Sequence, residues 1–516
     1  MSLRTVVHAA RSLSTQPFKS RVRRWCARRY ATTAPSSSIP ALKPSVYGQP
    51  LYPSHPHLMK PGEITPGIPA EEYERRRRAL MDSLPDQSLV VCVAGQVKYM
   101  SGKIFYKFRQ ASDFWYLTGF AEPASALVLE KAPSVPRRYR MTLFSAGTDP
   151  AAAQWDGARM SHADVVRHLG ADDAQPVDAL PAALRALAPR FDRVYLDLPP
   201  SASSRRGRPS SPKSLLKYLA PDALSRTDYD VLLDAFSSSK RKPLAPEVGR
   251  LRSIKSEAEQ RVMRAAADIS ARAHAKTMRF AQPDMSEHVI AAHFEYLCAR
   301  EGSLRPAYVP VVASGANALT IHYTANDQLV RDGELILMDA ACEYNGYASD
   351  ITRTFPASGT FTPPQAALYG AVLAAQKALV ALCSAAAGHS LAQLHRASCD
   401  LLRAELARAG LPCPASGALA ELYPHYVGHP VGIDLHESSH FERNEPIKAG
   451  MVITIEPGIY VPPSPAYPTH FHNIGIRIED EVLVGEEHPI VLSVNAPKEI
   501  VDVEGACQGQ LGLEPL

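Results

Sequence analysis

The segment 335–355, LILMDAACEYNGYASDITRTF, narrows the possible folds more than any other stretch of the chain. Leu335, Ile336, Leu337 and Met338 leave no polar face, so this strand is buried on both sides. Asn345-Gly346 is the preferred pair for a two-residue type I′ turn. With that turn Tyr344 opposes Tyr347 and Asp339 opposes Thr352. Asp350, two residues from Thr352, then shares the face of Asp339. Two carboxylates that close on an apolar hairpin are costly unless something neutralises them, and a divalent cation does so most simply. Two separate surface aspartates would require a polar strand face, which the segment lacks.

More donors stand in equally apolar surroundings. VITIEPGIY (452–460) ends a strand at Glu456, where a lone carboxylate would be badly desolvated. In GIRIEDEVLV (475–484) Arg477 and Glu479 alternate with Ile476 and Ile478. YVGHPVGIDLHE supplies His429 and His436. Two Asp, two Glu and one His form an oxygen-rich set, suited to a dinuclear site for Mn(II) or Co(II) rather than to a structural zinc.

Around these motifs the chain reads as two domains. Residues 70–240 alternate helical stretches with short apolar strands, SLVVCV (88–93), SALVLE (125–130), YRMTLFSA (139–146) and FDRVYLDL (191–198), which is an α/β pattern. Ser201–Pro212 reads as an exposed loop, and Ser237–Pro243 as the boundary. Beyond it, Ser256 and Glu259 form a capping box ahead of a helical repeat of Val262, Ala266, Ile269 and Ala273. A second helix is expected from Asp284 to Gly302. A third is capped by Thr362 and followed by Gly388, and a fourth runs from Ser390 to Gly410. Helices mixed with antiparallel hairpins make this half α+β.

Charge is distributed unevenly. Of 56 basic and 52 acidic side chains, ten basic and no acidic ones lie in residues 1–62, so the rest of the chain is net acidic. That excludes a strongly basic nucleic-acid binder. Residues 1–30 are Arg-rich, acid-free and amphipathic, the pattern of a mitochondrial presequence. Arg28-Arg29-Tyr30-Ala31 is similar to sites cut after an Arg-Xaa pair and then trimmed by one bulky residue. Removing residues 1–29 takes the formal charge from +4 to −4. Nine prolines in 35–69 make a linker, or an arm lying on the body. The eight cysteines form no CxxC pair, which argues against a zinc ribbon or a disulfide scaffold. No apolar run is long enough for a membrane-spanning helix.

In order and spacing these segments resemble the aminopeptidase P and prolidase group of pita-bread metallopeptidases. DFWYLTGFAEPASALVLE (113–130) and the WDG at 155–157 resemble the group's non-catalytic domain; LRSIKS, ASGANALTIHY, MDAACEYNGYASDITRTF, VGHPVGIDLHE, MVITIEPGIY and GIRIEDEVLV resemble its catalytic domain. The resemblance implies a creatinase-like α/β domain with a mixed sheet at 70–242 and an α+β pita-bread domain at 243–505. They lie between a presequence (1–30) with its arm (31–69) and a tail (506–516). It also implies that Asp339, Asp350, His429, Glu456 and Glu479 hold two divalent ions, Mn(II) by preference. Glu456 doubles as the base, His322 and His436 face the substrate, and Arg477 supports a bridging carboxylate. By the same resemblance His425 and Tyr460 line the pocket. The substrate is a peptide or protein N-terminus, and the chain is a homo-oligomer, dimer or tetramer. Trp155 either completes a neighbouring subunit's site or sits in its own domain's core. The presequence narrows the resemblance to the mitochondrial branch, to which intermediate-cleaving peptidases belong, in the matrix or on the matrix side of the inner membrane. A prolidase acting on dipeptides, and a non-catalytic binding module of the same fold, are the alternatives.

Overall fold

The computed structural model describes residues 45–196, 235–411, 417–438 and 440–512, all within one compact unit, Ala41–Leu516. The presequence, residues 31–44 of the arm, the Ser201–Pro212 loop and residues 513–516 lie outside the described residues.

The first half forms a six-stranded mixed sheet in the spatial order Arg241–Pro243, Arg193–Leu196, Ser88–Val93, Ala126–Lys131, Tyr139–Ser145, Asp173–Pro176. Its centre is antiparallel and its outer pairs are parallel. Within the expected boundary segment Ser237–Pro243, Arg241–Pro243 forms an edge strand of this sheet. Its Lys and Pro are residues that an edge strand tolerates and a central one does not. Residues 45–69 lie on the body as an arm: Leu51, Met59, Ile64 and Ile68 are buried, and the Gln49 amide donates to Ile64 O and Gly119 O.

In the second half, helix Glu257–Phe280 starts at the Ser256–Glu259 capping box. Helix Leu391–Arg408 starts at a second box, and helix Pro363–Ala381 follows Thr362, whose N–H donates to Gln365. The helix expected from Asp284 begins instead at Glu287, capped by Ser286. Asp284 has a left-handed backbone (φ 69°), and the Glu287 carboxylate ties down the loop that follows, accepting from Ser314, Asn317 and Tyr323. The last helix, Ile500–Cys507, carries the domain past residue 505, with Ala506 buried. No helix among the described residues is long and apolar enough to cross a membrane.

The hairpin register holds. Asn345 (φ 49°) and Gly346 (φ 84°) make the turn, Tyr344 pairs with Tyr347, and Asp339 pairs with Thr352. Between these pairings the ladder is interrupted at 340–341 and 349–351. Asp350 thus lies just outside a strand rather than diagonally across a continuous one. Helix Glu257–Phe280 takes up some of the freed backbone groups: His274 Nε2 lies 2.8 Å from Ala340 O, and Ser270 Oγ accepts from Cys342 N at 3.0 Å.

The two halves share a core. One apolar cluster runs from Tyr73 and Phe114 through Val262 and Tyr347 to Val452. Inside it the Arg76 guanidinium reaches Tyr347 (3.0 Å) and Glu259 (3.2 Å). Trp115 packs on the turn so closely that a Cβ at Gly346 would fall 2.6 Å from its ring.

Candidate metal centre

Three short antiparallel systems converge on one cavity of about 770 Å³. These are strands Val311–Ser314, Leu335–Asp339 and Thr352–Pro356, the pair Gly458–Val461 and Ile474–Arg477, and the pair Val452–Ile455 and Asp480–Leu483. Asp339, Asp350, His429, Glu456, Glu479, Arg477, His322, His425 and His436 all line the cavity. Among the described residues, Asp350, His429 and Glu479 bring ligand atoms within 4.8 Å of one another. His429 Nε2 stands 3.3 Å from Asp350 and 3.7 Å from Glu456. Its Nδ1 lies 3.1 Å from Pro430 O, a carbonyl that can only accept, which leaves Nε2 turned towards the carboxylates.

Three of the four carboxylates are held from outside. Tyr308 donates to Asp339 Oδ1 (2.5 Å) and Arg477 to Asp339 Oδ2 (2.6 Å). Thr352 Oγ1 donates to Glu479 (2.7 Å) and accepts from Arg477 Nε (3.1 Å). Thr454 Oγ1 accepts from His429 N (3.0 Å) and donates to Glu456 (3.3 Å). Deeper still, the Arg353–Asp480 pair (2.8 Å), wholly buried, ties the aspartate hairpin to the strand after Glu479.

The electrostatics show an unmet demand for positive charge. Burial, then the charges of Asp350, Glu456 and Asp339, push the Glu479 carboxyl well above its usual range. Burial pushes Glu456 up to about 7, against the pull of His429 and Arg477. Burial works to lower His429, but Asp350 and Glu456 carry it up to about 9. With only Arg477 and a protonated imidazole against four carboxylates, the donor set fits divalent cations.

His436 stands edge-on to His429, ring centres 4.2 Å apart, and burial lowers its proton affinity. His425 is carried down to about 4 by burial and then by Arg477. Tyr460 departs from expectation. It does not line the cavity but is buried behind it, where its hydroxyl joins Arg477 (2.7 Å) to His425 (2.9 Å). Trp155 is 87% exposed on the short helix Pro150–Asp156, which excludes a core role. Tyr308, Thr352 and Thr454 were not singled out in the sequence. Alternation within the hairpin does place Thr352 opposite Asp339, but nothing local marks Tyr308.

Comparison with known proteins agrees with this geometry. Residues 261–486 match the model of metallopeptidase family M24, and residues 73–195 match the aminopeptidase P N-terminal domain. The chain is 37% identical to intermediate cleaving peptidase 55 of Saccharomyces cerevisiae, across 90% of this chain and 89% of that one. It is 37% identical to Xaa-Pro aminopeptidase 3 of Rattus norvegicus, across 89% and 90%. The crystal structure of Icp55 from Saccharomyces cerevisiae superposes with a TM-score of 0.76 at 35% identity, covering 87% of this chain and 99% of that one.

Proposed function

The chain belongs to metallopeptidase family M24 and is a metal-dependent aminopeptidase, and from that premise we propose that in mitochondria it removes one N-terminal residue from imported proteins already cut by a processing peptidase. One observation carries the peptidase chemistry: four carboxylates and an imidazole face a single cavity, with three more histidines on its wall. The near full-length likeness to intermediate cleaving peptidases and the acid-free basic segment of residues 1–62 support the processing role.

In this reading Asp339, Asp350, His429, Glu456 and Glu479 hold two divalent cations, Mn(II) by preference. When bound, such cations lower the pKa of a water and polarise the scissile carbonyl. The protein's own groups do the rest. Arg477 and Tyr308 fix both oxygens of Asp339, so that carboxylate cannot rotate. Glu456, half-buried on the cavity wall among the other donors, takes the attacking water's proton and passes it to the leaving amine. His322 and His436 stand on the cavity wall, where they orient the substrate amide and donate to the oxygen that gains charge. His425, kept neutral, and Tyr426 form the wall beyond.

The relatives named Xaa-Pro aminopeptidase 3 favour a second specificity, cleavage before proline. N-terminal proteomics of mitochondria lacking the protein tests the processing role. Precursors should keep one extra residue, and normal N-termini would refute that role. A panel of Xaa-Pro dipeptides and longer peptides separates the dipeptidase from the aminopeptidase.

A further inference from the structure

The loop that carries His436 has no regular structure of its own. From Gly432 to Glu437 it makes few internal bonds: Gly432 N to Asp434 O (3.0 Å), Asp434 N to the Glu437 carboxylate (3.0 Å), and Glu437 N to Pro430 O (2.9 Å). A loop of this kind keeps a side chain in register only if something outside it holds the backbone.

Much of what holds it comes from the other domain. Arg109 Nη2 donates to Ile433 O at 2.6 Å, and both Nη atoms lie 3.4 Å from Asp434 Oδ1. Ser112 Oγ donates to the same Asp434 oxygen at 2.5 Å. Asp113 accepts from Arg252 Nη1 at 2.6 Å, and Arg252 in turn grips Asp434 (2.7 Å) and both Glu437 oxygens (3.1 and 2.9 Å). Arg109 also bonds a second segment: its Nε donates to Glu343 at 2.6 Å, on the hairpin of Asp339 and Asp350. One guanidinium from the non-catalytic domain therefore ties the loop that carries His436 to the hairpin that carries Asp339 and Asp350. An arginine fork is suited to this, because its donors are fixed in one plane.

We propose that Arg109, seconded by Ser112, is a positioning residue for catalysis, through which the N-terminal domain sets where His436 stands over the cavity. This rests on the reading of His436 as a substrate-facing group. It also gives the N-terminal domain a part in the reaction without any contact with the substrate.

The test uses the full-length, metal-loaded protein. His436→Ala, Arg109→Gln, Ser112→Ala and the double variant of His436→Ala with Arg109→Gln are assayed on an Xaa-Pro peptide for kcat and KM, with bound metal and melting temperature measured alongside. His436→Ala should lower kcat about a hundredfold. Arg109→Gln should lower kcat about tenfold with KM and metal content unchanged. In the His436→Ala background Arg109→Gln should cost at most about twofold more, since it acts through that histidine. Should Arg109→Gln fail to fold, Ser112→Ala loses only one hydroxyl and should still lower kcat about threefold. Full activity in the folded Arg109 or Ser112 variant beside an impaired His436→Ala overturns the positioning role alone. Losses that multiply in the double variant, or metal lost from Arg109→Gln, also overturn it. Full activity in His436→Ala overturns the reading beneath it.

Discussion

Replacing Thr352 with valine isolates the support given to Glu479. Thr352 is wholly buried, and its hydroxyl donates to Glu479 at 2.7 Å while accepting from Arg477 Nε at 3.1 Å. Valine keeps the shape and removes both bonds. A hydrogen bond to a charged group contributes about 1.5–3 kcal/mol, and the added methyl returns about 0.8 kcal/mol by burial. The net loss is thus about 2–5 kcal/mol in the metal-free protein. Part of it falls on the metal, because Glu479 loses the donor that orients its carboxylate. Removing a partner of this kind weakens metal binding by about 10–100-fold. Calorimetric titration of Mn(II) into the metal-free variant reads that factor, and urea unfolding reads the stability. Thr352→Ser keeps the hydroxyl and should bind Mn(II) within about threefold of the native protein, its cost being a lost methyl of about 1 kcal/mol. Native-like affinity in Thr352→Val would refute the reasoning. So would a serine variant as weak as the valine one, since shape rather than the hydroxyl would then be responsible.

Other outcomes follow from the same geometry. Chelation should abolish peptidase activity and lower the melting temperature, and Mn(II) at a hundred times its Kd should restore both, adding about 2.7 kcal/mol of stability; activity that survives exhaustive chelation would exclude the metal reading. Glu122 is buried, accepts from Met160 N at 2.6 Å, and burial pushes its carboxyl from 4.5 up to about 7. Between those values the native form keeps a proton that the unfolded chain has lost. Stability therefore falls as pH rises from about 4.5 through about 7, by up to about 3 kcal/mol, and Glu122→Gln should flatten that slope in urea unfolding at a series of pH values. Gly428→Ala would place a Cβ 1.9 Å from Thr454 O, backbone against backbone between His429 and the strand before Glu456. It should cost about 3 kcal/mol in urea unfolding and reduce Mn(II) affinity in calorimetric titration.

What could be read from the chain alone was what local rules determine. Asn345-Gly346 has few alternatives to its turn, so counting outward from it paired Asp339 with Thr352 correctly. Ser256–Glu259 and Ser390–Gln393 signal their helices with side chains three residues apart. Asp284 carried a similar signal and misled, because Glu287 spends its carboxylate on a distant loop rather than on a cap. The ladder interruption at 340–341 and 349–351 was not legible, since His274 and Ser270, which fill it, lie more than sixty residues away in the chain. Tyr308 and Arg109 escaped for the same reason: their partners are chosen by tertiary packing and leave no periodic or motif trace. The resemblance places Tyr460 in the pocket wall, whereas its hydroxyl bonds Arg477 and His425 behind the cavity, a partnership set by tertiary packing.

The interrupted ladders set the terms on which this site can change. Asp339 closes one strand, Asp350 stands before the next, Glu456 follows Ile455, and Glu479 fills the step between two strands. Asp339 keeps ladder partners in Val311 and Thr352, but Asp350, Glu456 and Glu479 lie outside the strands and owe little to the pairing on either side. A carboxylate can be exchanged there without shifting the register of its neighbours, so chemistry and architecture are free to vary apart. A chain of this design can lose its catalytic groups one at a time and still fold, leaving an intact shell with a cavity open to other uses.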